Sequence, residues 1–278
     1  EETTRDVIAP VPWTDPQTVV VKGMRIGMYV DNGHFQVSPA IRRAVREAAE
    51  ALRLAGATVE PIEPPDGREA TRLFAGIASA GGGPFFKKLL EDEEPIPQVA
   101  GLLRGVWTNP TLLRAAAWMQ ELQGQRHLAY SMRCLGACSA EHYWSLVRAC
   151  HDFRAKFLQS LDDGPFDAVI CPPFALPALT HGTSQHLLPA ASYAFVYNVI
   201  GVPAGTVSIA KVRPGEESDR ETSKDMADIT ARAVERNSAG LPVGVQVVAR
   251  HWREDIVLGV MAALEEHFRA SPEFPARP

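Results

Sequence analysis

A-S-Y-A-F-V-Y-N-V-I-G-V-P-A-G (191–205) and N-S-A-G-L-P-V-G-V-Q-V-V-A (237–249) decide how this chain is read. The first predicts a helix over 189–200 closed by Gly201, where a residue without a Cβ turns left-handed at little cost. A strand follows over 203–209. The second predicts a strand over 243–249. Its V-G-V-Q-V-V core is apolar on both faces, as in a strand buried on both sides, so it is expected to need neighbours beyond these residues. Upstream, D-A-V-I-C-P-P (167–173) reads as a strand stopped by two prolines, which cannot donate to a ladder.

Working outward, 24–30 reads as a strand, and Ser38-Pro39 opens a helix with Ser at the cap and Pro in the first turn. Ile41, Val45, Ala48 and Leu52 form one stripe, and Gly56 ends it. A strand over 58–62 then makes a strand–helix–strand unit. Residues 1–20, with Pro10, Pro12 and Pro16, read as a linker-like arm. Residues 63–110 are rich in Pro, Gly and acid and are expected to form loops and short helices. Helices follow over 110–133 and 140–161. Ser139 caps the second, and Tyr143, Val147, Cys150, Phe153, Phe157 and Leu161 form its inner face. The charged stretch 211–237 reads as a loop leading into a helix. A last amphipathic helix over 254–269 turns Ile256, Val260, Leu264 and Phe268 inward. Interleaved strands and helices predict an α/β layered fold, and no internal repeat is visible.

The 278 residues carry a net charge of −5 and 46% apolar residues. That balance suits a globular core and argues against a general nucleic-acid binder, which must neutralise phosphates. No run of about 18 uninterrupted apolar residues predicts a membrane span. Cysteines at 134, 138, 150 and 171 are too few for a disulfide scaffold and suit a reducing, cytoplasmic compartment. No cofactor motif is found.

Three sets of residues could carry chemistry. Ser79 precedes Gly81-Gly82-Gly83, a superficial match to a nucleophile loop; the alternative is a Gly-rich turn lining a pocket. Cys171 with His181 or His186 could form a nucleophile–base pair; the alternative is a buried, inert thiol. Cys134, Cys138 and His142 are spaced for a metal only on one continuous helix, which Gly136 and Ser139 are expected to break, so no metal is expected. The segment 100–136 is net positive, with Arg104, Arg114, Arg126 and Arg133 against Glu121. It holds Trp107 and Trp118, so it suits a peripheral membrane contact, or a helix pair packing on its own core or on a dimer partner.

R-I-G-M-Y (25–29), S-P-A-I-R-R-A-V (38–45), F-D-A-V-I-C-P-P (166–173), S-Y-A-F-V-Y-N-V-I-G-V-P-A-G (192–205), A-G-L-P-V-G-V-Q (239–246) and W-R-E-D-I-V-L (252–258) stand in order along the chain. Together they resemble the carboxyl-terminal portion of the amidase signature hydrolases, fatty-acid amide hydrolases in particular. The resemblance implies α/β/α layers around a mixed sheet, with 1–278 forming the later part of one domain and 100–136 a cap-like helical segment. It implies hydrolysis of carboxylic amides through an acyl-enzyme. That family uses a Ser–Ser–Lys triad, for which this sequence has no matching positions, so the chain alone is expected to be inactive and to depend on a missing amino-terminal catalytic segment. By position, Leu188, Ala191 and Phe195 carry over to the acyl channel, with Phe85 from the aromatic wall. A non-catalytic apolar-ligand module and an amidase for small polar amides remain the alternatives.

Overall fold

The structure, a computed structural model, describes residues 12–91 and 93–275. Its centre is a mixed five-stranded sheet in the order β2-β1-β3-β5-β4. The strands are β1 (Arg25–Met28), β2 (Thr58–Pro61), β3 (Ala168–Cys171), β4 (Ala204–Lys211) and β5 (Pro242–Ala249). β1 runs parallel to β2 and β3, while β5 runs antiparallel to both β3 and β4. Every residue of β3 is buried, as its apolar run requires. β5 is buried from Val243 to Ala249 and has both neighbours within this chain. The expectation that β5 lacks partners is therefore corrected. β2 and β4 are the edge strands: among the described residues β2 pairs only with β1 and β4 only with β5. Gly244 permits that pairing, because a Cβ there would lie 2.2 Å from the Val207 carbonyl oxygen, beside the bulge at Ser208/Ala210.

α1 (Pro39–Leu54) and α10 (Glu254–Phe268) cover one side of the sheet. α1 buries Ile41, Val45, Ala48 and Leu52, and α10 buries Ile256, Val260 and Leu264, with Phe268 partly buried. Ser38 holds the cap position of α1, but its hydroxyl makes no capping bond; its backbone N–H donates to Ala175 O instead (2.8 Å). On the other side lie α7 (Ala140–Asp163) and α8 (Ser192–Ile200), with α2 (Gly67–Ser79) packed on α8. The Ser139 hydroxyl accepts from His142 N–H at the start of α7. The inner face of α7 is Leu146, Phe157 and Leu161, with Phe153 partly buried, whereas Tyr143 is exposed. The layers are thus α/β/α.

The short helices expected within 63–110 are there and fill most of it, and the helix expected over 110–133 is split in two around Gln123–Gln125. After α2 come α3 (Pro84–Leu90), α4 (Pro97–Trp107), α5 (Pro110–Leu122) and α6 (Arg126–Cys134). Each of α3, α4 and α5 opens with a proline in its first turn, where the missing N–H has no helical partner to lose. α2 is capped by Asp66, whose carboxylate accepts from Arg68 and Glu69 N–H. Finally, α9 (Met226–Arg236) follows a loop fixed by Arg220. The buried Arg220 guanidinium pairs with Glu235, lies over the Phe35 ring and donates to Gln36 O.

Candidate functional site

α8 carries the residues expected to face a ligand, and a buried polar network fixes its pose. Tyr193 Oη accepts from Asn32 N–H (3.1 Å) and lies within hydrogen-bond reach of Phe35 O and Asp31 Oδ1. Asn32 Nδ2 donates to Ser192 Oγ (3.1 Å). Tyr197 Oη bonds Tyr29 Oη (2.8 Å) and contacts Cys171 Sγ, which also accepts from Gln246 Nε2 at 3.5 Å. Burial pushes the Tyr29 and Tyr197 hydroxyls and the Cys171 thiol upward, so these three groups stay protonated near pH 7.

With α8 so held, a cavity of about 360 Å³ opens between the body and the helices of 84–134. Phe74, Ala75 and Ala78 of α2 and Leu188 and Phe195 from the α8 region form one wall; Val99, Leu103 and Val106 of α4 form another. Its hydroxyls are those of Thr71, Ser79 and Ser131; the rest of the lining is aliphatic or aromatic. Phe74 and Phe195 stack with centroids 4.2 Å apart and planes 11° apart. Such a volume and lining suit an apolar group of a small molecule.

Leu188 and Phe195 thus meet in one cavity. Ala191 lies half-buried in the turn before α8 and is not among the lining residues. Phe85 falls within α3, but its side chain lies outside the described ones. Leu187, Ala190 and Val196 join the core instead. The wall residues that the sequence did not single out, Phe74, Ala75, Ala78 and Val106, come from helices whose apolar stripes are masked by a Pro/Gly-rich composition that suggests loops.

Ser79 lines the cavity, yet its hydroxyl donates to Ala75 O (2.7 Å) and accepts from Gly136 N–H (3.0 Å). That is a structural role, with the one hydroxyl proton already used. Cys171 is fully buried and its partners are Tyr197 and Gln246, whereas His181 and His186 are exposed. A buried, protonated thiol is inert. Cys134 ends α6, Gly136 follows it and His142 lies in α7, so they do not share a helix. Among the described residues no group of three or more His, Cys, Asp or Glu could hold a metal.

The cavity's α6 wall is fastened to the loop before α9. Gln125 Nε2 donates to Lys224 O (2.7 Å), and Met226 N–H donates to Gln125 Oε1 (2.8 Å). His127 N–H donates to Asp225 Oδ2 (2.9 Å), and His127 Nε2 lies 3.7 Å from Asp228 Oδ1. His127 is the main cause holding Asp228 below the usual carboxylate range. Trp118 is 61% exposed on α5, whereas Trp107 turns its indole N–H inward. Among the described residues no helix is long and apolar enough to cross a membrane.

The model of the family described as Amidase matches residues 1–258. The chain is 29% identical over 273 residues to fatty acid amide hydrolase 1 of Caenorhabditis elegans, covering 92% of this chain and 45% of that protein. It is 24% identical over 275 residues to amidase 1 of Gibberella moniliformis, covering 93% and 46%. Among solved structures, a fatty acid amide hydrolase superposes with a TM-score of 0.71 at 19% identity, over 94% of this chain and 42% of that one. 6-Aminohexanoate cyclic dimer hydrolase, complexed with substrate, superposes with 0.59 at 17%, over 95% and 50%. The chain therefore spans about half the length of the relatives it matches. With a family model matched over most of its length and an α/β/α mixed sheet to agree with it, this chain belongs to the amidase family.

Proposed function

We propose that the chain is the carboxyl-terminal, acyl-binding part of an enzyme that hydrolyses carboxylic amides, fatty-acid amides among them, with the nucleophile outside these 278 residues. The observation that carries this reading is the apolar cavity between α2, α8 and α4, with Leu188 and Phe195 on its wall. In this reading the acyl group enters the cavity and gains about 0.8 kcal/mol for each buried methylene. The carbonyl is left at the cavity mouth for an activated serine, which forms the acyl-enzyme. Leu188 and Phe195 orient the acyl group and perform no proton transfer, while Ala191 and Phe85 join them only by the position the resemblance gives them. The committed hydroxyl of Ser79 and the buried thiol of Cys171 support a nucleophile from elsewhere. So does the half-covered sheet: Ala204, Thr206 and Ser208, on the Gln246 face, are exposed and offer a surface for further polypeptide or a second copy. The exposed Trp118 and Leu112 of α5 support a peripheral membrane contact for the cap. A reducing compartment fits the free cysteines.

The test is incubation of the 278-residue chain with a chromogenic acyl amide and a fluorophosphonate probe. No turnover and no labelling are expected. Stoichiometric labelling that disappears in Ser79→Ala would place the nucleophile inside this chain and overturn the reading.

A further inference from the structure

Asn32 joins three stretches that lie far apart in sequence. It sits in the loop between β1 and α1 and is buried. Its backbone N–H donates to Tyr193 Oη (3.1 Å) and its Nδ2 donates to Ser192 Oγ (3.1 Å), so it holds the first turn of α8. Its backbone O accepts from Gly67 N–H (3.4 Å), at the first residue of α2. Its Oδ1 accepts from His34 N–H (3.2 Å), which fixes the side chain within its own loop.

The contact with α2 is closer than the hydrogen bond alone requires. A Cβ at Gly67 would lie 2.3 Å from Asn32 Nδ2 and 2.4 Å from its Cγ, so only glycine lets α2 begin this near. From that shared origin α2 and α8 pack on each other and run to the cavity wall. Phe74 stands about two turns beyond Gly67, and Phe195 about one turn beyond Ser192. There the two rings stack. Asn32, Gly67 and Ser192 are themselves not among the lining residues. A helix moves as a unit, and a core packed to crystal density leaves little slack. The placement of Asn32 therefore fixes the spacing of the two rings. We propose, resting on the acyl-binding reading above, that Asn32 is a positioning residue: from outside the cavity it ties the starts of α2 and α8 together and so sets the Phe74–Phe195 wall against which the acyl group lies.

The experiment is calorimetric titration of the 278-residue chain with decanamide, beside the 19F resonance of 4-fluorophenylalanine placed at position 195. Both are measured in wild type, Asn32→Ala, Ser192→Ala and Gly67→Ala. Gly67→Ala must push the start of α2 back by about 1 Å to relieve its contact with Asn32. A gap of that size forfeits roughly a quarter to a half of each contact it opens. Affinity should fall on the order of tenfold in Gly67→Ala and Asn32→Ala and less in Ser192→Ala, with the resonance shifting in the same order. Ile170→Ala, in β3 and outside the lining, should lower the thermal melt and leave affinity and resonance unchanged, which separates positioning from a loss of stability. Gly67→Ala and Ser192→Ala cover the case in which Asn32→Ala does not fold, judged from the same melt. Unchanged affinity or an unchanged resonance in the folded variants overturns the inference, as does an equal affinity loss in Ile170→Ala; the acyl pocket then stands. If the wild-type chain binds no decanamide, the acyl-binding reading fails, and a role for Asn32 in acyl binding fails with it.

Discussion

The sheet body and the helical cap of 84–134 are built from similar apolar fractions put to different use. In the body, β3 and the inner face of α1 are wholly buried, and the polar groups among them find one another: Tyr29 with Tyr197, Asn32 with Ser192. In the cap, α5 buries only Leu113 and Ala117 and exposes Leu112, Trp118, Met119 and Leu122; α6 buries only Ala129. The body is stabilised by its own core. The cap is held by its contact with α2, by the cavity walls and by a few hydrogen bonds at Gln125 and His127. Regions with few buried apolar contacts open locally at low cost.

The largest expected contrast comes from matched truncations in the two regions. Ile170→Ala empties a fully buried site in β3 and should cost about 2–5 kcal/mol. Leu112→Ala, at an exposed site on α5, should stay within about 0.5 kcal/mol. Urea denaturation of both variants checks this. Similar losses would mean that the α5 surface is covered in solution, by a second copy or another partner.

A smaller effect is expected from the body's polar network. Tyr197→Phe removes the hydroxyl partner of Tyr29 Oη and leaves that buried hydroxyl only the weakly bonding thiol of Cys171, which should cost about 1–3 kcal/mol. Tyr130→Phe in the cap removes a bond to Arg68 O at an exposed position, where water replaces it, and should cost less. A reversed order in thermal or urea melts would place the more rigid network in the cap.

Where the two regions meet, stability should depend on pH. His34 rests against His127 and Tyr130 of α6, and its Nε2 is buried without a partner. Burial first, then the neighbouring charges of His127 and Arg68 lower its pKa from 6.5 to about 4, with Asp66 opposing. Between those values the unfolded chain binds the proton that the folded chain refuses. Stability is therefore fully present above pH 6.5 and falls as the pH drops towards 4. His34→Gln should flatten that slope in melts taken across the window, and an unchanged slope would put the proton on another group.

The same division explains what the sequence made legible. Strands β3 and β5 and helices α1 and α10 announce themselves because burial repeats along them: the run Ala168–Cys171, or Ile41, Val45, Ala48 and Leu52 on one stripe. The cap is harder to read, because Pro84 and Pro97 punctuate a loop-like composition yet each begins a helix, and because the helix expected over 110–133 breaks at Gly124 into α5 and α6. Asp66 and Glu69, spaced as a helix start, carry the overlooked signal for α2. On α7 the periodicity predicts Tyr143 inward where Leu146 is buried instead, since a periodic pattern does not say where a helix meets its neighbours. For the site, the resemblance points to Leu188 and Phe195. Phe74 is out of its reach, because only the pairing of α2 with α8 brings it to Phe195.

The smallest expected change in global stability has the sharpest regional signature. Gln125 ties the α5–α6 turn to the loop before α9 through two reciprocal bonds, to Lys224 O and from Met226 N–H. Both lie at the surface, so Gln125→Ala should cost about 0.5–1.5 kcal/mol, mostly as local opening of the cap. Hydrogen exchange should quicken over α5 and α6 and stay unchanged in β3 and β5. An apolar ligand that fills the cavity touches both Leu103 of the cap and Phe195 of the body, so it should restore slow exchange in the variant. Exchange that quickens equally in β3 would mean that cap and body unfold as one unit, and the contrast drawn between them would be lost.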